Sequence, residues 1–376
     1  MRRAAGIAAG GGALILAAYA FGDAELLVPG VAFALLGGLT APWMWWAAHA
    51  ASVRRSIDTE HVVEDQPLEA RIEVRRGVLG LPGAEILDSL AGGTIQLSPS
   101  SRPGGRTIEV RVVGRFPRRG RHELAAPSLA LADPLGLVRI VRPSASGPDS
   151  LMVLPRTERL RWIAGPGEER LDRPSGIPGI EAFAALEVDG LRPYRPGTPA
   201  SRISWSALAR GAGLLERRLR AERDAGPLVI LDLRSEVPGE DVDAAVRAAA
   251  SLTLELARRT GCELLLPGDR RPAQIGPDLG AWPAAHARLA LIEGGATSPA
   301  PWPSSGVRSG AIFYVAAAPQ RLPSRLVRLA QGGLVLVLPV SLAPETRATP
   351  RFEVTGCRGY LLSERGGMPR VTEQVA

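Results

Sequence analysis

Two long uncharged runs open the chain. Residues 4–22 carry no charged side chain, Asp23 and Glu25 interrupt, and residues 26–48 are again uncharged. About 20 apolar residues cross a bilayer core, so the pattern predicts two transmembrane helices forming a hairpin over residues 1–52. Trp43, Trp45 and Trp46 end the second run as an interfacial aromatic belt would. Pro42 predicts a kink at that end. The first run is Gly-rich and weaker. With Arg2 and Arg3 ahead of it and Ala18-Tyr19-Ala20 near its end, it also reads as a cleaved leader. The second run would still anchor the product.

The period then shortens. Leu68-Glu69-Ala70-Arg71-Ile72-Glu73-Val74 and Thr107-Ile108-Glu109-Val110-Arg111-Val112 alternate apolar with polar, which gives strands one buried and one wet face. Gly77, Pro82-Gly83 and Pro103-Gly104-Gly105 punctuate these runs. Phe116-Pro117-Arg118-Arg119-Gly120 and Asp133-Pro134-Leu135-Gly136-Leu137 read as turns. Residues 57–145 are therefore expected to form a small antiparallel β-sandwich.

Residues 226–342 follow a third grammar. Leu228–Asp232, Cys262–Leu266, Ala311–Ala316 and Leu334–Leu338 are apolar runs of the buried-strand kind. Asp241–Thr260 places Val242, Ala245, Val246, Ala249, Leu252 and Leu256 on one helical face. Glu240 or Asp241 is the expected cap and Gly261 the stop. Helices over about 281–292 and 321–330 complete the alternation. Buried strands alternating with helices predict a parallel sheet covered on both faces. The tail, residues 343–376, is expected to add an edge strand through Phe352–Val354 and Gly359–Leu362.

Composition narrows the chemistry. All 45 basic residues are Arg, and net charge is +7. Arg is spread through the whole chain, which argues against a nucleic-acid face. Only Cys262 and Cys357 are present, and the four His are scattered. A disulfide framework and a Cys- or His-based zinc site lack support. Arg2 and Arg3 precede the first apolar run, and Arg54 and Arg55 follow the second. The positive-inside rule then puts both ends, and the remainder of the chain, in the cytoplasm.

Residues 150–225 link the β segment to the α/β segment. They hold Leu191-Arg192-Pro193-Tyr194-Arg195-Pro196-Gly197, then Arg202-Ile203-Ser204-Trp205, then Ala209-Arg210. Tyr194 to Gly197 can form a tight turn with Gly197 at positive φ. Ser201 can cap a helix running through Trp205 to Arg210. Arg192, Arg202 and Arg210 have Glu181, Glu187, Asp189, Glu216 and Glu222 as candidate partners. Such a cluster is either a scaffold of ion pairs and a stacked Trp, or a partner-facing surface of Arg forks and aromatic anchors. No nucleophile–base pair stands nearby, so a catalytic role has little support.

At the carboxyl end of the first α/β strand stands Asp232-Leu233-Arg234-Ser235-Glu236. A von Willebrand A domain holds Mg²⁺ there with Asp-x-Ser-x-Ser. Here Arg234 and Glu236 replace the two Ser, so an ion pair or backbone hydrogen bonds suit Asp232 better than a metal. No other cofactor is indicated.

With Gly179-Ile180-Glu181-Ala182-Phe183 and Glu222 added, the motif resembles that of domain-of-unknown-function family 58. The order of segments is similar too: two spans, a β segment, the motif, then a von Willebrand A-like α/β domain. Thr198 stands where that family usually has Asp, and Ser206 where Lys is usual. The resemblance implies a membrane-anchored, non-enzymatic interaction or adaptor protein. Its implied partners are a MoxR-type AAA+ ATPase and other von Willebrand A or transglutaminase-like membrane proteins. Arg192, Tyr194, Gly197, Arg202, Trp205 and Arg210 would be partner-facing or domain-organising. The alternatives are a metal-dependent enzyme centred on Asp232 and a cell-envelope-binding protein.

Overall fold

The computed structural model describes residues 2–77, 80–97, 107–163, 188–194, 203–211, 213–219, 226–234, 236–302, 310–319, 322, 326, 333–342 and 350–362, with backbone alone at 188–192 and 216–219. The chain divides into two compact units, residues 1–117 with 121–153, and residues 118–120 with 154–376.

The first unit begins with helices α1 (Arg2–Phe21) and α2 (Ala24–His49), both long and apolar enough to cross a membrane. Asp23 caps α2 by accepting from the Glu25 amide. At 1.5 Å per residue, α1 is about 30 Å long, matching a hydrocarbon core. The helices touch through small residues. A Cβ on Gly37 would lie 2.5 Å from the Ala4 carbonyl oxygen, and one on Gly11 2.3 Å from the Ala34 amide nitrogen. Small residues let backbones approach closely enough for dispersion to hold two helices without a hydrophobic driving force. Leu16, Tyr19, Phe33, Leu39, Trp45 and Trp46 point outward and are exposed.

Nine strands and the start of a tenth follow in this unit: β1 (Ser52–Ile57), β2 (His61–Val63), β3 (Pro67–Arg75), β4 (Glu85–Asp88), β5 (Gly93–Gln96), β6 (Thr107–Arg115), β7 (Gly120–Leu124), β8 (Ser128–Ala132), β9 (Arg139–Pro143) and β10 (Asp149–Leu154). They make three sheets, β1-β3-β6, β2-β10-β7 and β5-β4-β8-β9. The first and third are antiparallel. In β3 the alternation is complete: Leu68, Ala70, Ile72 and Val74 are buried, while Glu69, Arg71 and Arg75 face water. The core they enter also takes Ala4, Met44 and Ala48 from the helices. Asp133 shapes its turn by accepting from the amides of Leu135 and Val138.

Arg55, expected from its position to be a juxtamembrane charge, is wholly buried. Its guanidinium donates to Asp88 at 3.0 Å, Asp149 at 2.9 Å and the Leu124 carbonyl at 3.1 Å.

The second unit continues with β11 (Arg161–Trp162), β12 (Val188–Pro193), α3 (Trp205–Ala209), β13 (Leu215–Leu219), β14 (Leu228–Asp232), α4 (Gly239–Thr260), β15 (Cys262–Leu265), β16 (Ala273–Ile275), α5 (Trp282–Leu291), β17 (Ile312–Ala316), β18 (Leu334–Pro339), β19 (Phe352–Val354) and β20 (Cys357–Leu362). Its main sheet has the order β11-β19-β20-β18-β17-β14-β15-β16. The central four strands are parallel. These four are the strands expected to form a parallel sheet; β16, β20, β19 and β11 extend it at the flanks by antiparallel pairing. The tail supplies two strands, and β19 lies between β20 and β11. There Glu353 accepts from both Arg161 and Arg358, which holds its carboxyl below the ordinary range.

One face of the sheet packs Val229, Leu231, Val315 and Val337 against α4 and α5. The other packs Leu228, Ile230, Tyr314 and Leu336 with Leu322 and Leu326. The rest of the helix expected over 321–330 lies outside the described residues. Helix α4 starts two residues earlier than its acids suggested. Pro238 occupies the cap with no side-chain bond, so Glu240 and Asp241 sit in the first turn, where they offset the helix dipole. Gly261, at φ 83°, ends it.

Candidate functional site

The first candidate is the motif. Strands β12 and β13 pair antiparallel, with Arg192 opposite Glu216 in Cα register. The Tyr194 amide donates to Leu214 O at 3.0 Å, and the Ser204 amide to Leu215 O at 2.8 Å. These bonds hold Tyr194 and the start of α3 against the entry to β13. Helix α3 is shorter than expected: it begins at Trp205, its cap position is Ser204, and no side chain caps it. Ser201, Gly197, Thr198, Arg202, Glu181, Glu187 and Glu222 lie outside the described residues. The glycines seen to take positive φ here are Gly211 and Gly213, at 77° and 81°, where the chain turns from α3 into β13.

Trp205 does not enter a core. It is 58% exposed, with Leu208 one helical turn on at 40% and Leu214 at 39%. Arg210 is exposed, and its Nε donates to Ser206 O at 3.0 Å. A helix end with carbonyls to satisfy accounts for that contact. The described part of the motif thus presents an aromatic and two aliphatic side chains beside a cation. That composition suits contact with another protein.

The second candidate is Asp232, the last residue of β14, fully buried. From β14 the chain runs through α4 to β15 on one side, then crosses back through α5 to place β17 on the other side of β14. In open α/β sheets this switch point is where ligands bind, beyond the carboxyl ends of the strands. Here the position is filled from within. Arg234 donates from its backbone N and its Nε to Asp232 Oδ1, at 3.1 and 3.0 Å, and from Nη2 to Oδ2 at 2.6 Å. Tyr314 Oη, from β17, donates to Oδ2.

The electrostatics follow. Hydrogen bonds to Asp232 raise the Arg234 guanidinium above its ordinary range despite partial burial. Burial, then the bond to Asp232, pushes the Tyr314 phenol up, while Arg234 pulls it back. The carboxylate is thus neutralised by a fork and satisfied on both oxygens. A divalent ion would need those same oxygens and would meet a fixed cation 2.6 Å from one of them. The residues present do not fit Mg²⁺. Among the described residues, no group of three His, Cys, Asp or Glu is placed to hold a metal.

Arg234 lies two residues from Asp232 and is expected beside it, whereas Tyr314 comes from a strand 82 positions away. A signal existed: Ile312-Phe313-Tyr314-Val315-Ala316 is a buried strand with one hydroxyl, and a buried Tyr hydroxyl needs a partner.

Comparison with known proteins gives no matching family model and no significant match among curated proteins.

Proposed function

We propose that the protein is a membrane-anchored, non-enzymatic interaction protein. In this reading α1 and α2 cross the bilayer, and the sheets of the first unit form a sandwich-like module. The second unit is a von Willebrand A-like domain whose metal position is replaced by an ion pair. The remainder of the chain lies in the cytoplasm. The observation that carries the reading is Trp205, held open to solvent at 58% exposure on a short helix with Leu208 beside it. Leaving an indole in water forgoes the burial that stabilises a fold, and buried Trp residues supply much of the binding energy at protein interfaces.

The resemblance to family 58 suggests the partner, a MoxR-type AAA+ ATPase, in assembly or maturation at the membrane. Capture of such an ATPase by the detergent-solubilised chain tests this. We expect Trp205→Ala with Leu208→Ser to weaken capture at least tenfold, about the cost of one interface anchor. Undiminished capture would remove α3 as the contact surface. Failure of the unaltered chain to capture the ATPase would remove the partner.

A further inference from the structure

The hairpin is charged unevenly. Between Arg3 and Arg54 there is no Lys or Arg, and the turn at its far end carries Asp23 and Glu25. At the near end the fold gathers cations that are distant in sequence. The Gly37 contact with Ala4 places Arg2 and Arg3 alongside the last turns of α2, where Trp45 and Trp46 are exposed. Three residues beyond the end of α2, β1 begins, and Arg54 faces water. Strand β3 returns to the same end, with Arg75 opposite Ser52 and exposed. Arg76 follows. A Cβ on Gly77 would lie 2.3 Å from the Ala50 Cβ, so the end of β3 is fastened to the end of α2.

The opposing charges are few. Glu73 stands across from Arg54, and Glu109 across from Glu73. Among the described residues placed here by helix contact or register, Arg2, Arg3, Arg54 and Arg75 stand with Glu73 and Glu109, and Arg76 has a partner of its own. Arg55 takes no part, being buried against Asp88 and Asp149.

We infer that this arginine collar is a docking surface for anionic lipid headgroups. The inference rests on the hairpin crossing a bilayer. Given that, the collar continues the lipid-facing band of exposed apolar residues into the headgroup layer. Arg2 and Arg3 lie level with the Trp belt, where long cationic side chains reach the interface. Arg54 and Arg75 follow beyond the end of α2, where attraction to headgroup phosphates decays over a Debye length, about 8 Å at physiological salt. Guanidinium forks match phosphate oxygens two at a time. Phosphatidylcholine has the phosphate too, but its choline cancels the charge. The net positive collar therefore selects lipids with net negative charge.

The full chain reconstituted in mixed vesicles of phosphatidylcholine and phosphatidylglycerol tests this. Bromine on the acyl chains of one lipid or the other quenches Trp43, Trp45 and Trp46 by contact. Brominated phosphatidylglycerol should quench at least about twofold more than its mole fraction predicts. That excess should vanish when Arg2, Arg3 and Arg75 are changed to Gln. It should also vanish in the unaltered chain when salt shortens the Debye length to about 4 Å. Quenching that tracks mole fraction for both lipids would overturn the inference and leave the hairpin in the membrane. Quenching by neither lipid would overturn the membrane reading itself.

Discussion

Asp88 in the first unit and Asp232 in the second are both fully buried aspartates held by an arginine, but their arginines are placed differently. Arg55 is as buried as Asp88, while the Arg234 side chain is 34% exposed. Arg55 collects acceptors from far along the chain: Asp88 in β4, Asp149 in β10 and Leu124 O at the end of β7. As β1 carries it, one guanidinium joins all three sheets of its unit. Arg234 binds a carboxylate two residues away and leaves part of itself in water. The first pair fixes long-range architecture. The second closes one loop over the ligand-binding end of a sheet. Burial of the acid alone would not distinguish them; the origin and exposure of its partners does.

The comparison predicts unequal costs. Asp88→Ala leaves Arg55 buried with its charge half-compensated by Asp149, which is itself 36% exposed. Breaking a buried pair by removing one partner costs about 3–5 kcal/mol, and the surviving Asp149 contact places this case near the lower end. Denaturant unfolding of the detergent-solubilised protein measures it. A loss below about 1 kcal/mol, the range of an exposed pair, would mean that Arg55 is not the clamp between sheets.

What the sequence revealed differs between the two centres for the same reason. Asp232 was legible because Leu228–Asp232 is an unbroken apolar run that ends in an acid, and Arg234 lies within local reach. The Arg55 centre was not, because its partners stand 33, 69 and 94 positions away. Local pattern therefore made Arg55 a membrane-flanking charge. The same limit explains the sheet. The four central strands show as apolar runs alternating with helices, which also marks them as parallel, but the antiparallel flanks leave no such mark. Strand β16, three residues with exposed Gln274 at its centre, scarcely shows at all. In the motif, Tyr194 and Trp205 stood out by residue type. That Trp205 faces outward depends on where α3 begins, which backbone bonds to β13 decide.

Alkaline pH should separate the units next. Burial raises the thiols of Cys262 and Cys357, the latter to about 12, and raises the Tyr314 phenol beside Asp232. All three belong to the second unit. An acid whose folded pKa is raised contributes stability that is complete below its unfolded value and is lost as pH rises toward the folded one. Unfolded thiols ionise near 8.5 and phenols near 10. The second unit should therefore lose on the order of 1 kcal/mol per buried thiol by pH 9.5. Near-ultraviolet circular dichroism, which sees Trp162 and Trp282, reports the transition. Cys357→Ala should flatten the alkaline fall. An unchanged slope would mean that this thiol ionises as freely folded as unfolded.

The last effect is one of binding, and it carries the sharpest chemical change. Arg234→Ser takes the fork from a fully buried carboxylate, which costs about 3–5 kcal/mol unless a proton or another cation takes the guanidinium's place. It leaves the carboxylate at the switch point with the Tyr314 hydroxyl on one oxygen. The vacated position can then take hard-oxygen donors around a divalent ion. Calorimetric titration with Mn²⁺ should show no binding to the unaltered chain. The Arg234→Ser, Glu236→Ser double variant should bind weakly at one site, and adding Asp232→Ala should abolish it. Stoichiometric Mn²⁺ binding by the unaltered chain, lost in Asp232→Ala, would show that Arg234 yields to a metal. The two buried aspartates would then differ more deeply than their exposures suggest, one holding architecture and the other holding a place for an exchangeable cation.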